Sequence, residues 1–146
     1  MSYVKIILHC VWSTKKRQPF LNERCLRENL FAHICANAKE KGIWVSIVGG
    51  YVDHVHLILF LGRDQVLSKV LQQLKGESSY WFNKRYARRL EWQDDYFAVS
   101  IGESQLPVVS NYILHQEEHH RRKSFQKEYE EFMSVYKFRQ MGLKSK

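Results

Sequence analysis

A chain of 146 residues with 45% hydrophobic and 14% aromatic content can bury one core. That excludes a disordered protein and suits a single domain, residues 1–146. Its 23 Lys and Arg against 15 Asp and Glu give a formal net charge of +8, which favours polyanionic partners, nucleic acid before membrane. Three cysteines with no CxxC pair are an odd set for a disulfide framework and fit a cytoplasmic chain.

Residues 1–11 hold an apolar run too short to cross a membrane, and no small-residue cleavage site follows, so neither a signal peptide nor a membrane span is expected. Residues 4–13 alternate, with Val4, Ile6, Leu8, Cys10 and Trp12 on one face, and predict a strand. Leu26, Leu30, Phe31, Ile34, Cys35 and Ala38 follow helical spacing, with Gly42 as a stop. Cys25 and Cys35 fall within that pattern and read as reduced packing residues. Residues 44–48 predict a second strand, Gly49 and Gly50 a turn, and residues 54–61 a third strand. Leu67, Val70, Leu71, Leu74 and Trp81 form the stripe of a second long helix. Residues 96–101 predict a fourth strand, residues 108–119 a third helix after Pro107, and residues near 127–136 a last helix. The order β-α-β-β-α-β followed by helices is ferredoxin-like: an α+β fold with two helices on one face of a four-stranded antiparallel sheet. That fold hosts many activities, so function must come from the site.

On the third strand, Val55, Leu57, Leu59 and Leu61 share one wholly apolar face. His54 and His56 share the other, with Ile58 and Phe60 beyond them, and two imidazoles at i and i+2 can converge on one ion. A histidine-triad hydrolase would need a third alternate histidine where Ile58 stands. A two-histidine phosphoesterase would need two HxT or HxS motifs, which do not occur. The segment 111–116, Asn-Tyr-Ile-Leu-His-Gln, supplies what a metal site would still lack. Tyr112 and Gln116, spaced i and i+4, share a helix face. Gln116 offers a neutral oxygen suited to Mg²⁺ or Mn²⁺, and Tyr112 a phenol nucleophile. Each motif alone also reads as an ordinary packing pattern. Their conjunction, HxH on a central strand and YxxxQ on a late helix, carries the argument.

These residues resemble the HUH single-tyrosine transposases of the smallest bacterial insertion sequences, the 200/605 type, and their relatives associated with repetitive palindromes. The likeness covers nearly the whole chain: residues 9–17 (HCVWSTKKR), 53–57 (DHVHL), Leu74-Lys75-Gly76 with Ser78-Ser79, Trp92-Gln93, and 112–122 (YILHQEEHHRR). The resemblance implies Tyr112 as nucleophile and His54, His56 and Gln116 as ligands of a divalent metal. It implies a homodimer that excises and inserts single-stranded DNA at hairpin-bearing ends through a 5′-phosphotyrosine bond. In many members the tyrosine helix serves the partner's metal site.

The basic runs Lys15-Lys16-Arg17, Lys84-Arg85 with Arg88-Arg89, and Arg121-Arg122-Lys123 can neutralise backbone phosphates. The expected DNA-contacting set is His9, Lys15, Lys16, Arg17, Lys75, Arg121 and Arg122. A replication-initiator-like nickase and a domesticated, non-catalytic nucleic-acid-binding or palindrome-processing protein are the alternatives. The former usually needs further domains, and the latter need not keep Tyr112, His54, His56 and Gln116.

Overall fold

The structure, a computed structural model, describes residues 1–120 together with Lys127 and Glu130. The chain divides into two compact units, residues 1–116 and 117–146. Most of the second, including the helix expected near 127–136, lies outside the described residues.

The first unit follows the predicted order: β1 (Ile6–Ser13), α1 (Arg24–Glu40), β2 (Trp44–Gly50), β3 (His54–Leu61), α2 (Leu67–Tyr86), β4 (Phe97–Ser100) and α3 (Leu106–Leu114). The four strands form one sheet in the order β2-β3-β1-β4, with every neighbouring pair antiparallel. β1 starts at Ile6 rather than Val4, which is exposed.

Alternation sorts the sheet into two faces. Cys10, Trp12, Val55, Leu57 and Leu59 point to one side and pack with Leu30 and Ile34 of α1 and Val70, Leu71, Leu74 and Phe82 of α2. Ile7 and Ile58 point to the other and pack with Ile101 and with Val109 and Ile113 of α3. Three details depart from expectation. The buried stripe of α2 runs through Ser78 to Phe82, whereas Trp81 is only half-buried and stacks on His33 with ring centroids 3.9 Å apart. Cys25 is exposed rather than packed, while burial pushes the Cys10 thiol up to about 12. Gly49 and Gly50 belong to β2, not to a turn. Gly49 stands opposite His56, and a Cβ there would meet the carbonyl oxygen of Ile113 at 2.5 Å. The glycine therefore lets the backbone of α3 lie against the sheet beside the histidine. Among the described residues, no helix is long and apolar enough to cross a membrane.

Candidate active site

His54 and His56 emerge from β3 on the α3 side, as the alternation requires, opposite Ser13 and Val11 of β1. Both are buried, at 0% and 1% exposure. Their rings lie 5.1 Å apart at 77°, an arrangement that lets two imidazoles address one point. The face is not bare, however: α3 packs across it over β2 and β3.

That helix delivers Tyr112, whose ring meets His56 edge-on at 5.6 Å within the same chain. Residues 108–119 do not form the uninterrupted helix expected from sequence. α3 ends at Leu114, and His115 leaves helical geometry with φ −105° and ψ 28°. The His115 side chain caps the last turn, because Nδ1–H donates to the Asn111 carbonyl at 2.7 Å beside the residue's own backbone N–H at 3.2 Å. Gln116 follows directly. Its Nε2 donates to the Tyr112 carbonyl at 3.2 Å, which turns Oε1 toward His54 Nε2 at 2.9 Å. Backbone groups freed at the helix end thus orient the very amide that sequence spacing picked out.

Each ligand candidate is also held from behind. Asp53 Oδ1 accepts the Nδ1–H of His54 at 2.8 Å, and His9 Nε2 lies 2.9 Å from His56 Nδ1. In a neutral His54 with its proton on Nδ1, Nε2 carries a lone pair 2.9 Å from the Gln116 oxygen. Adjacent ligands of an octahedral ion with bonds near 2.1 Å stand about 3 Å apart, so this donor pair fits a hard divalent cation. Among the described residues, no group of three or more His, Cys, Asp or Glu side chains is arranged to hold a metal, so the candidate set depends on the Gln116 amide.

A family model described as Transposase IS200 like matches residues 2–116. The chain belongs to that family. Two solved structures share the fold of this transposase. One is a protein of Deinococcus radiodurans R1 assigned as a transposase, with a TM-score of 0.63 at 21% identity over 79% of this chain and 93% of that one. The other is the REP-associated tyrosine transposase bound to a REP hairpin, with a TM-score of 0.60 at 16% identity over 82% of this chain and 72% of that one. No curated protein matches the chain.

The structure places the expected DNA-contacting residues of the transposase in three different settings. Lys15, Lys16 and Arg17 form an exposed 3-10 turn after β1, with Lys16 and Arg17 at positive φ of 55° and 52°. Lys15 pairs there with Glu91 at 3.3 Å, an exposed contact that a phosphate can replace at small cost. His9, expected on DNA, is instead buried beneath the site against His56. Lys75 is likewise diverted, because its ammonium is bound to the carbonyls of Gln93 and Asp94. Burial holds that ammonium below its usual range, with Asp94 and Asp95 acting the other way. Lys75 therefore ties α2 to the segment before β4. The Trp92-Gln93 motif does similar work: the Trp92 indole donates to Ser78 Oγ at 3.2 Å, and Gln93 Oε1 accepts the Lys16 backbone N–H at 3.2 Å. Arg121 and Arg122 lie outside the described residues. Asp53 and His9, both inside the motifs at residues 53–57 and 9–17, stand behind the histidine pair, a placement that those motifs alone do not reveal.

Proposed function

We propose that this transposase cuts and rejoins single-stranded DNA next to a hairpin, with Tyr112 as nucleophile and Mg²⁺ or Mn²⁺ held by His54, His56 and Gln116. The observation that carries this reading is the junction in one chain of the tyrosine ring with His56, while Gln116, four residues on, lies 2.9 Å from His54. Family membership and the hairpin bound by the REP-associated relative support the substrate class.

In the reaction, the Tyr112 phenol oxygen forms a bond to phosphorus and loses its proton. The bond from phosphorus to the 3′ oxygen breaks, and that oxygen leaves as a 3′ hydroxyl. The 5′-phosphotyrosine so formed conserves the energy of the broken ester, and a 3′ hydroxyl attacking it restores a phosphodiester without ATP. A divalent cation held by His54, His56 and Gln116 would supply charge to polarise the scissile phosphate. The protein supplies position: α3 fixes the phenol near the histidine pair, and the apolar contacts of Val109 and Ile113 fix α3. His54, His56 and Gln116 are buried in this conformation, so DNA entry requires the cover over them to open and the contact between His54 and Gln116 to yield.

The two outer strands, β2 and β4, leave sheet edges that favour pairing with a second copy, which supports a homodimer. The test of the activity is a covalent adduct. Incubated with hairpin-bearing single-stranded DNA and Mn²⁺, the protein should form a denaturant-resistant DNA adduct. Tyr112→Phe should form none, yet bind the hairpin within about threefold of the parent, since binding rests on phosphate contacts. An adduct on the Phe variant would overturn the assignment.

A further inference from the structure

We infer that His9 is a positioning residue for the metal site: it accepts the Nδ1–H of His56 and thereby fixes the tautomer in which Nε2 of His56 can bind a cation. The inference rests on the metal-site reading above.

The sheet register creates the pair. His56 stands opposite Val11, and His9 opposite Ile58, so the two imidazoles are diagonal neighbours on the α3 face. His9 Nε2 and His56 Nδ1 are 2.9 Å apart, the rings lie within 28° of parallel, and both residues are 1% exposed. A neutral imidazole carries one N–H and one lone pair. If His9 donated, the proton of neutral His56 would sit on Nε2 and close that nitrogen to metal. If His9 accepts, the proton sits on Nδ1 and Nε2 keeps its lone pair. Of the two assignments, only the second is compatible with a ligand role.

The two ligands are then oriented through the same ring atom by different chemistry. Asp53 engages Nδ1 of His54, and His9 engages Nδ1 of His56. Both ligands present Nε2, and both rings are locked against rotation. A neutral imidazole does this for His56 without adding a second carboxylate to the site. The His9 ring also lies edge-on to Tyr112 at 6.4 Å, so it walls the nucleophile as well.

The test separates acceptor from filler. His9→Leu removes the acceptor and keeps apolar bulk, whereas His9→Gln restores an oxygen that can accept. In the metal-free protein, two-bond ¹H–¹⁵N imidazole spectra read the His56 tautomer directly. Parent and His9→Gln should show the Nδ1–H form, and His9→Leu should lose it. In Mn²⁺ titrations, His9→Leu should bind about 10- to 100-fold more weakly and His9→Gln within about threefold of the parent, as for other groups that orient metal-bound histidines.

An Nε2–H tautomer in the parent overturns the inference even if the Leu variant does not fold. So does a Gln variant as weak as the Leu variant, which would reduce His9 to packing. Mn²⁺ affinity unchanged in both His54→Ala and His56→Ala would instead overturn the metal site itself, a result the tautomer spectra do not depend on.

Discussion

Both faces of the sheet bury a hydrophobic cluster, yet only one also buries imidazoles, and β3 shows the difference. Val55, Leu57 and Leu59 enter the α1 and α2 side with no exposure at all, and His54 and His56 enter the α3 side with almost none. On the first face these residues join a hydrophobic cluster, so packing and transfer from water account for most of their burial. On the second, each imidazole is taken up by a specific partner: Asp53, Gln116 or His9. A buried polar group without a partner costs about 1–3 kcal/mol, so these partners offset part of the cost of burying the imidazoles. The difference separates the half of the molecule that stabilises the fold from the half that spends stability on chemistry.

Neighbouring residues of β3 offer the sharpest way to break that comparison. His56→Ala should lower metal-dependent strand cleavage by about 10³-fold or more, the loss of several kcal/mol of charge stabilisation, while the protein remains folded. Leu57→Ala, one residue away on the other face, should cost about 2–5 kcal/mol of stability. Its cleavage rate, measured well below its melting temperature, should stay near that of the parent. Cleavage assays and denaturant unfolding on both variants check this. A His56→Ala protein that cleaves normally, or a Leu57→Ala protein as stable as its parent, would erase the division.

Two glycines refine it. Gly49→Ala places a methyl group against the Ile113 carbonyl and Cγ2, at 2.5 and 2.8 Å, so α3 must lift from the sheet. The expected cost is about 1–3 kcal/mol. Because α3 carries Tyr112, cleavage should fall more than stability does. Gly76, inside α2, has nothing within 4 Å of an added Cβ. Gly76→Ala should therefore stabilise by about 0.5–1 kcal/mol and leave cleavage unchanged. Thermal melts and cleavage rates of the two variants, taken side by side, report whether α3 is the element that couples packing to chemistry.

Alternation and helical spacing made the sheet, the first two helices and the histidine pair legible, because those patterns record which face meets the core. What stayed hidden depends on contacts between distant segments. Gly49 and Gly50 look like a turn until α3 is laid across the sheet. Phe82 replaces Trp81 in the buried stripe because His33 of α1 offers Trp81 a stacking partner at the surface. No periodicity encodes the break at His115, where side chain and backbone N–H share the Asn111 carbonyl. His9 reaches His56 only through the register between β1 and β3, which the sequence of either strand alone does not state. Lys75 carried charge in the sequence but meets two carbonyls in the fold.

The smallest expected effect probes the apolar face from within. Cys10 lies in that core, and burial raises its thiol from the ordinary 9.0 to about 12. Below pH 9 the thiol is protonated in both folded and unfolded chains and contributes no slope. Between about pH 9 and 12 the unfolded thiol releases its proton while the folded one keeps it, so the folded state binds more protons and stability falls as pH rises. One group of this kind contributes about 1.4 kcal/mol per pH unit within that window. Denaturant unfolding of the parent and of Cys10→Ala at pH 8 and pH 10 isolates the contribution. The Ala variant should start less stable, because it leaves a cavity, but lose less on going to pH 10. Equal losses would mean that the thiol ionises in place. The face under α1 and α2 would then admit water, and the contrast between a dry structural side and a working polar side would fail at its apolar end.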